Sequence, residues 1–228
     1  MGSTESTLRK YIDSSAEQGT CRDELRGMLK SDSVDTRYEL LLKVRGEKFS
    51  TRTGLHEAAT SNDVETIKYM LDGFSSNQKY NVVKIQSGGK STALHIAAAY
   101  DHTAIINYLL SNLSQQQIYN LLKIQTQHGN TALHRAARNN QVETVQAIIS
   151  SVSSPLQIQL LHIKNKEGQT VTDFRLELHD ELPVLIIQSK FEKMELELQN
   201  RIYFCKINCN IRNHITNKAF TLFLFTSN

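Results

Sequence analysis

Thr92-Ala-Leu-His-Ile-Ala-Ala98 does not stand alone in this chain of 228 residues. The same pattern occurs 39 residues earlier as Thr53-Gly-Leu-His-Glu-Ala-Ala59 and 39 residues later as Thr131-Ala-Leu-His-Arg-Ala-Ala137. A further step of 39 meets a decayed copy, Thr170-Val-Thr-Asp-Phe-Arg-Leu176. The register holds between the copies as well. Ile67, Ile106 and Val145 correspond, as do Met70, Leu109 and Ile148, and Leu71, Leu110 and Ile149. A fixed period of this length is the signature of a stacked-repeat architecture, in which each unit buries its apolar face only against its neighbours.

Within a unit, the spacing predicts a pair of helices. Leu94, Ala97 and Ala98 stand at i, i+3, i+4 and define one helical face, on which two alanines let a neighbouring helix come close. About ten residues on, Ile106, Leu109 and Leu110 repeat the spacing and predict a second amphipathic helix behind the first. Asn62, Asp101 and Asn140 lie between the two at equivalent positions. Asn and Asp tolerate a left-handed backbone better than other non-glycine residues, so a tight helix-to-helix turn is expected there.

Thr-x-Leu-His-x-Ala-Ala resembles the signature of the ankyrin repeat, whose usual period is about 33. The resemblance runs from Thr53 to Leu176, with weaker traces towards the N-terminus. It implies an all-α solenoid of stacked helix pairs joined by β-hairpin-like finger loops. Gly129 and Gly168, two residues before their threonines, match the family's finger glycine, whereas Lys90 departs from it with Gly88 and Gly89 shifted upstream. The six extra residues per unit fall after the second helix, in Ser75–Ile85, Leu113–Ile124 and Ser150–Ile163. There Ser76 or Ser114 is expected to cap a short further helix with Ile118, Tyr119 and Leu122 inward, an added helical turn on the outer side of each repeat.

A solenoid needs end units that shield its last apolar faces. Residues 13–52 are expected to be a degenerate N-terminal capping repeat, preceded by a flexible segment, 1–12. Repeats are assigned to 53–91, 92–130 and 131–169, with a decayed one at 170–182. In the last, Asp173 replaces the histidine and Arg175 falls among the alanine positions. Val184, Ile187, Phe191, Met194 and Leu198 step by 3 and 4 along a C-terminal helix at 183–202. That helix either docks on the last repeat or forms a short coiled coil with a second helix. Residues 203–228 read as an irregular tail. Residues 201–228 hold Arg201, Lys206, Arg212 and Lys218 and no acid, so the first 200 carry 22 basic against 23 acidic groups. The net charge of +3 therefore belongs to the tail and is no argument for a polyanion partner.

Several local patterns suggest chemistry and fail on spacing. His56-Glu57 opens like a zinc-protease helix, but Thr60 stands where the second histidine is needed. Gly88-Gly-Lys-Ser-Thr92 resembles the end of a phosphate-binding loop, yet Lys84 occupies the place of its first glycine. Cys205, Cys209 and His214 make three metal ligands where structural zinc wants four. Met1-Gly-Ser-Thr-Glu-Ser6 fits the pattern for acylation at Gly2. Three scattered cysteines suit a reducing compartment, so the cytoplasm is expected, with the nucleus as the alternative.

The resemblance implies no catalytic centre. It assigns structural roles to Thr53, Leu55, His56, Thr92, Leu94, His95, Thr131, Leu133 and His134, with each histidine tying finger to helix. It also implies a concave groove, built by the fingers and inner helices, that binds a protein partner. The variable positions expected to contact that partner are Glu57, Lys90, Ile96, Tyr100, His128, Arg135, Arg138 and Asn139. The expected function is that of an adaptor or scaffold, a monomer with no enzyme activity, cofactor, metal, nucleic acid or small-molecule substrate. The rival reading is a membrane-associated or self-associating anchor acting through acylated Gly2 or the 184–198 helix.

Overall fold

The computed structural model describes residues 2–13, 18–43 and 51–174. The chain divides into two units, 1–182 and 183–228, and the described residues all belong to the first. The expected helix at 183–202, the tail, and the Cys205, Cys209 and His214 pattern lie outside them.

Among the described residues the fold is twelve helices and no strand. They come in four triplets. Inner helices are α1 (Gly2–Asp13), α4 (Gly54–Thr60), α7 (Ala93–Ala99) and α10 (Ala132–Arg138). Outer helices are α2 (Gln18–Ser31), α5 (Val64–Leu71), α8 (Thr103–Leu110) and α11 (Val142–Ser150). The third members are α3 (Val34–Lys43), α6 (Ser76–Val83), α9 (Gln115–Leu122) and α12 (Ser154–Leu161). Each helix packs on its counterpart in the next triplet, so three parallel stacks run along the array. The core lies between inner and outer stacks, where Leu55, Ala58, Ala59, Leu94, Ala97, Ala98, Leu133 and Ala136 are at most 1% exposed.

The turns follow the residues that permit them. Asn62, Asp101 and Asn140 sit at φ of 54°, 60° and 56°, the left-handed region expected for a tight inner-to-outer connection. In each finger a tight turn closes, with Gly129 N–H donating to Thr126 and Gly168 N–H to Asn165, and glycine holds φ near +78° and +77°. Lys90 takes the same place at φ 56° with its N–H on Ser87, so a lysine carries backbone strain that the other two fingers give to glycine. Gly88 and Gly89 thus belong to a finger turn and not to a phosphate cradle.

Two expectations need correction at the ends of the repeats. The segment 1–12 is not free. It forms α1, with Leu8 and Tyr11 fully buried and Ile12 8% exposed. Leu8, Tyr11 and Ile12 repeat the i, i+3, i+4 spacing of Leu55, Ala58 and Ala59, and α1 packs on α4. The first described unit therefore includes α1, where larger side chains stand in place of the alanines. The inserts form the expected short further helix, eight residues long in α6, α9 and α12, but the cap of the first and the inward set differ. Ser75 caps α6 in place of Ser76, while Ser114 caps α9 as expected, each through a capping box with a glutamine. Ile118, Leu121 and Leu122 face inward, and Tyr119 lies half-covered beneath the Lys123 ammonium, 5.5 Å from its ring centre.

Candidate functional site

The inner face is organised by the threonine–histidine pairs. Thr53, Thr92 and Thr131 are the N-caps of α4, α7 and α10, each with its histidine at the third helical position. The histidine Nδ1 accepts from the threonine backbone N–H at 3.2, 3.2 and 3.3 Å and lies 2.7, 2.8 and 2.7 Å from its hydroxyl. With Nδ1 accepting, the ring proton sits on Nε2, which faces a carbonyl of the next finger. Those acceptors are Ser91 at 2.8 Å for His56, Ile124 at 3.0 Å and Asn130 at 3.2 Å for His95, and Gln169 at 3.2 Å for His134. Each ring is at most 1% exposed. Burial pushes the His95 imidazole down to about 3 and also lowers that of His134, so both are neutral struts. At the decayed copy Asp173 takes over the Nδ1 task, accepting from Thr170 N–H at 2.7 Å. A carboxylate has no second N–H to pass on, so the ladder ends there.

The fingers are joined directly as well. Gln127 N–H donates to Gly89 at 3.0 Å and Lys166 N–H to His128 at 3.1 Å. Gln86 and Gln125 each donate to the carbonyl 39 residues on, at Gln125 and Lys164. Together these bonds make the finger-and-inner-helix face one continuous, braced surface.

Of the positions expected to meet a partner, the structure gathers four around one cavity of about 440 Å³. His128, Arg135, Arg138 and Asn139 line it, with Ala99, Asn130, His134 and Glu167. Arg135 and Arg138 come from one face of α10 three residues apart, Asn139 from its end, and the rest mainly from two successive fingers. Tyr100 directly follows the lining residue Ala99. It is 59% exposed, the one large hydrophobic residue so exposed among those described, and it stacks on His102 at 5.8 Å. Asn139 is held in place by donating to Ala99 at 2.8 Å.

Two positions are corrected. Glu57 and Ile96, which precede the alanines as Arg135 does, are only 7% and 5% exposed. Close stacking of the inner helices covers side chains of that length, and Glu57 is further held by Arg52 at 3.5 Å. Burial raises the Glu57 carboxyl, and Arg52 opposes that rise. Arg135 alone of the three reaches into the groove. Lys90 is exposed at a finger tip, outside the cavity lining. Asn130 and Glu167 belong to the wall, and only the fold brings those finger residues opposite α10.

Among the described residues no group of three or more His, Cys, Asp or Glu is placed to hold a metal ion. No helix among them is long and apolar enough to cross a membrane.

Stacked triplets, threonine–histidine caps and linked fingers define a helical repeat solenoid. The chain belongs to the ankyrin-repeat family: the family model described as "Ankyrin repeats (3 copies)" matches residues 30–119 and 55–159. Ankyrin repeats are general protein–protein interaction modules. A comparison with curated proteins returned no match.

Proposed function

We propose that this chain is a non-catalytic adaptor or scaffold that takes a segment of a protein partner into the face formed by its fingers and inner helices. The observation that carries this reading is the pairing of exposed Tyr100 with a half-buried Arg135 on the wall of the 440 Å³ cavity. Tyr and Arg are the side chains most enriched among residues that dominate binding energy. The braced ladder behind them supports the same reading, since a face ordered before binding loses little entropy on association. A cytoplasmic or nuclear setting suits the few cysteines.

The test is capture of partner protein by the intact chain and by its Tyr100→Ala and Arg135→Ala variants. Each substitution should weaken the captured complex by about 2 kcal/mol, the scale of a binding hot spot, with the thermal unfolding midpoint unchanged. Equal capture by the Tyr100→Ala/Arg135→Ala double variant would place the binding face elsewhere.

A further inference from the structure

The arginines of this fold are otherwise accounted for. Arg22 and Arg26 pair with buried Asp63, Arg9 with Glu5, and Arg52 with Glu57. Arg37, 5% exposed, donates to the carbonyls of Leu29, Tyr69 and Asp72. The exceptions are Arg138, which is exposed, and Arg135. It is partly buried, and its one side-chain hydrogen bond runs to the Ser91 hydroxyl at 3.4 Å. Neither it nor Arg138 forms an ion pair among the described residues. Burial works against the Arg135 charge, and the neighbouring like charge of Arg138 works against it further. Two like charges at i, i+3 on one helix add a small cost of their own. A guanidinium with most of its five N–H donors unused among the described residues, partly buried at the wall of a cavity, is arranged for an acceptor from outside them.

We propose that this cavity is a subsite for an acidic side chain, an Asp or Glu of an extended partner segment. The inference rests on the groove reading above and names what the groove selects. The planar fork of Arg135 matches a carboxylate in bidentate fashion, with Arg138 adding charge and Asn130, Asn139 and His128 offering further polar groups. Glu167 on the facing finger disfavours a doubly charged group such as a phosphate. A volume of about 440 Å³ suits a whole side chain with its flanking backbone, and Tyr100 beside Ala99 offers an apolar contact to the next residue of the segment.

The experiment is affinity selection on the full chain from a displayed library of random 12-residue peptides, followed by titration of the selected peptide in synthetic form. Selected peptides should share an Asp or Glu at a fixed distance from an aromatic or aliphatic residue. Arg135→Gln in the protein, or Glu→Gln in the peptide, should each lower affinity at least tenfold, and the two together no further than either alone. Arg135→Gln should unfold no earlier than the parent, since it abandons no ion pair. Peptides without a shared acid, or an acid whose contribution ignores Arg135→Gln, overturn the subsite alone. Tenfold tighter binding of a phosphoserine peptide than its Glu counterpart also overturns it. A library that yields no binder overturns the groove reading and the subsite with it.

Discussion

Acidification is expected to loosen the repeat ladder through its buried histidines. In the folded chain the His95 imidazole, fully buried, titrates near 3, while in the unfolded chain it returns to about 6.5. The folded state therefore binds fewer protons between these values, and stability falls as pH falls through that window. At pH 5 the unfolded imidazole is about 1.5 pH units below its midpoint and the folded one is still neutral. At about 1.4 kcal/mol per unit, the loss from this one ring is about 2 kcal/mol relative to pH 7. His134, lowered by the same burial, acts in the same direction. Asp63, held below the ordinary carboxyl value of 3.8, stays ionised in both states over this range and contributes nothing to the slope. Glu57, whose carboxyl is raised, works with the opposite sign, so the readout must be a difference between two proteins. The comparison is His95→Gln, which keeps an acceptor for the Thr92 cap and cannot titrate. Urea unfolding at pH 7, 6 and 5 should show the parent losing about 2 kcal/mol more than the variant by pH 5. Parallel slopes in the two proteins would refute a buried neutral histidine at this position.

The two finger glycines make a paired test, because both sit near φ +78° but only one is crowded. A Cβ on Gly129 would lie 2.6 Å from the Lys166 backbone nitrogen, whereas one on Gly168 meets nothing within 4 Å. Gly168→Ala should cost the left-handed penalty of about 1 kcal/mol, and Gly129→Ala about 3 kcal/mol, since it also pushes the next finger away; equal thermal shifts would contradict this. Lys90→Gly should stabilise by up to about 1 kcal/mol by relieving the same backbone strain, read as a higher urea midpoint. Asp63→Ala should cost about 3 kcal/mol, near the lower end for a broken buried pair because its arginine partners are about a quarter exposed. Hydrogen exchange should then speed up first in α1 and α2, which that carboxylate ties to α5.

What could be read from the chain was whatever repeats within a single unit. The threonine cap with histidine three residues on and the left-handed Asn62, Asp101 and Asn140 are local rules stated three times over, the finger glycine is stated twice, and the structure keeps them. What was not legible depends on partners far apart in sequence. α1 is displaced 47 residues from α4 at its apolar face while α2 keeps an offset of 42 from α5, so no single shift aligns the first unit. Asp63 drew no notice in the sequence, yet it caps α5, and its side chain, 1% exposed, meets Arg22, Arg26 and Tyr11 as well as Thr66. Burial alone would raise that carboxyl; hydrogen bonds from Thr66 and Arg26 outweigh it and hold it low. The exposure of Ile96 and Glu57 was misread because the same motif position is covered in two repeats and open only at Arg135.

The third helices show how a period of 39 ties neighbouring repeats together. A helix ends in carbonyls without intrahelical partners, and a cation there satisfies them and the helix dipole together. From α3, Arg37 donates to Tyr69 and Asp72 at the end of α5. From α6, Lys79 does the same to Tyr108 and Ser111 at the end of α8, at 2.6 and 2.8 Å, and those acceptors lie 39 residues on from the first pair. At the next step Ile118 stands in the cation's place, and Gln115 bridges instead, donating to Ser151 and accepting from Ser153 N–H. α3, α6 and α9 therefore each clamp their own repeat to the outer helix of the next, by whatever donor the sequence provides. With histidines and glutamines bracing the inner face and these clamps bracing the outer, neighbouring repeats are tied at both edges. Bonds at both edges order the array before any partner arrives, and on the groove reading that order keeps Arg135 half-buried at the cavity wall, where a looser fold would let its side chain swing out to water.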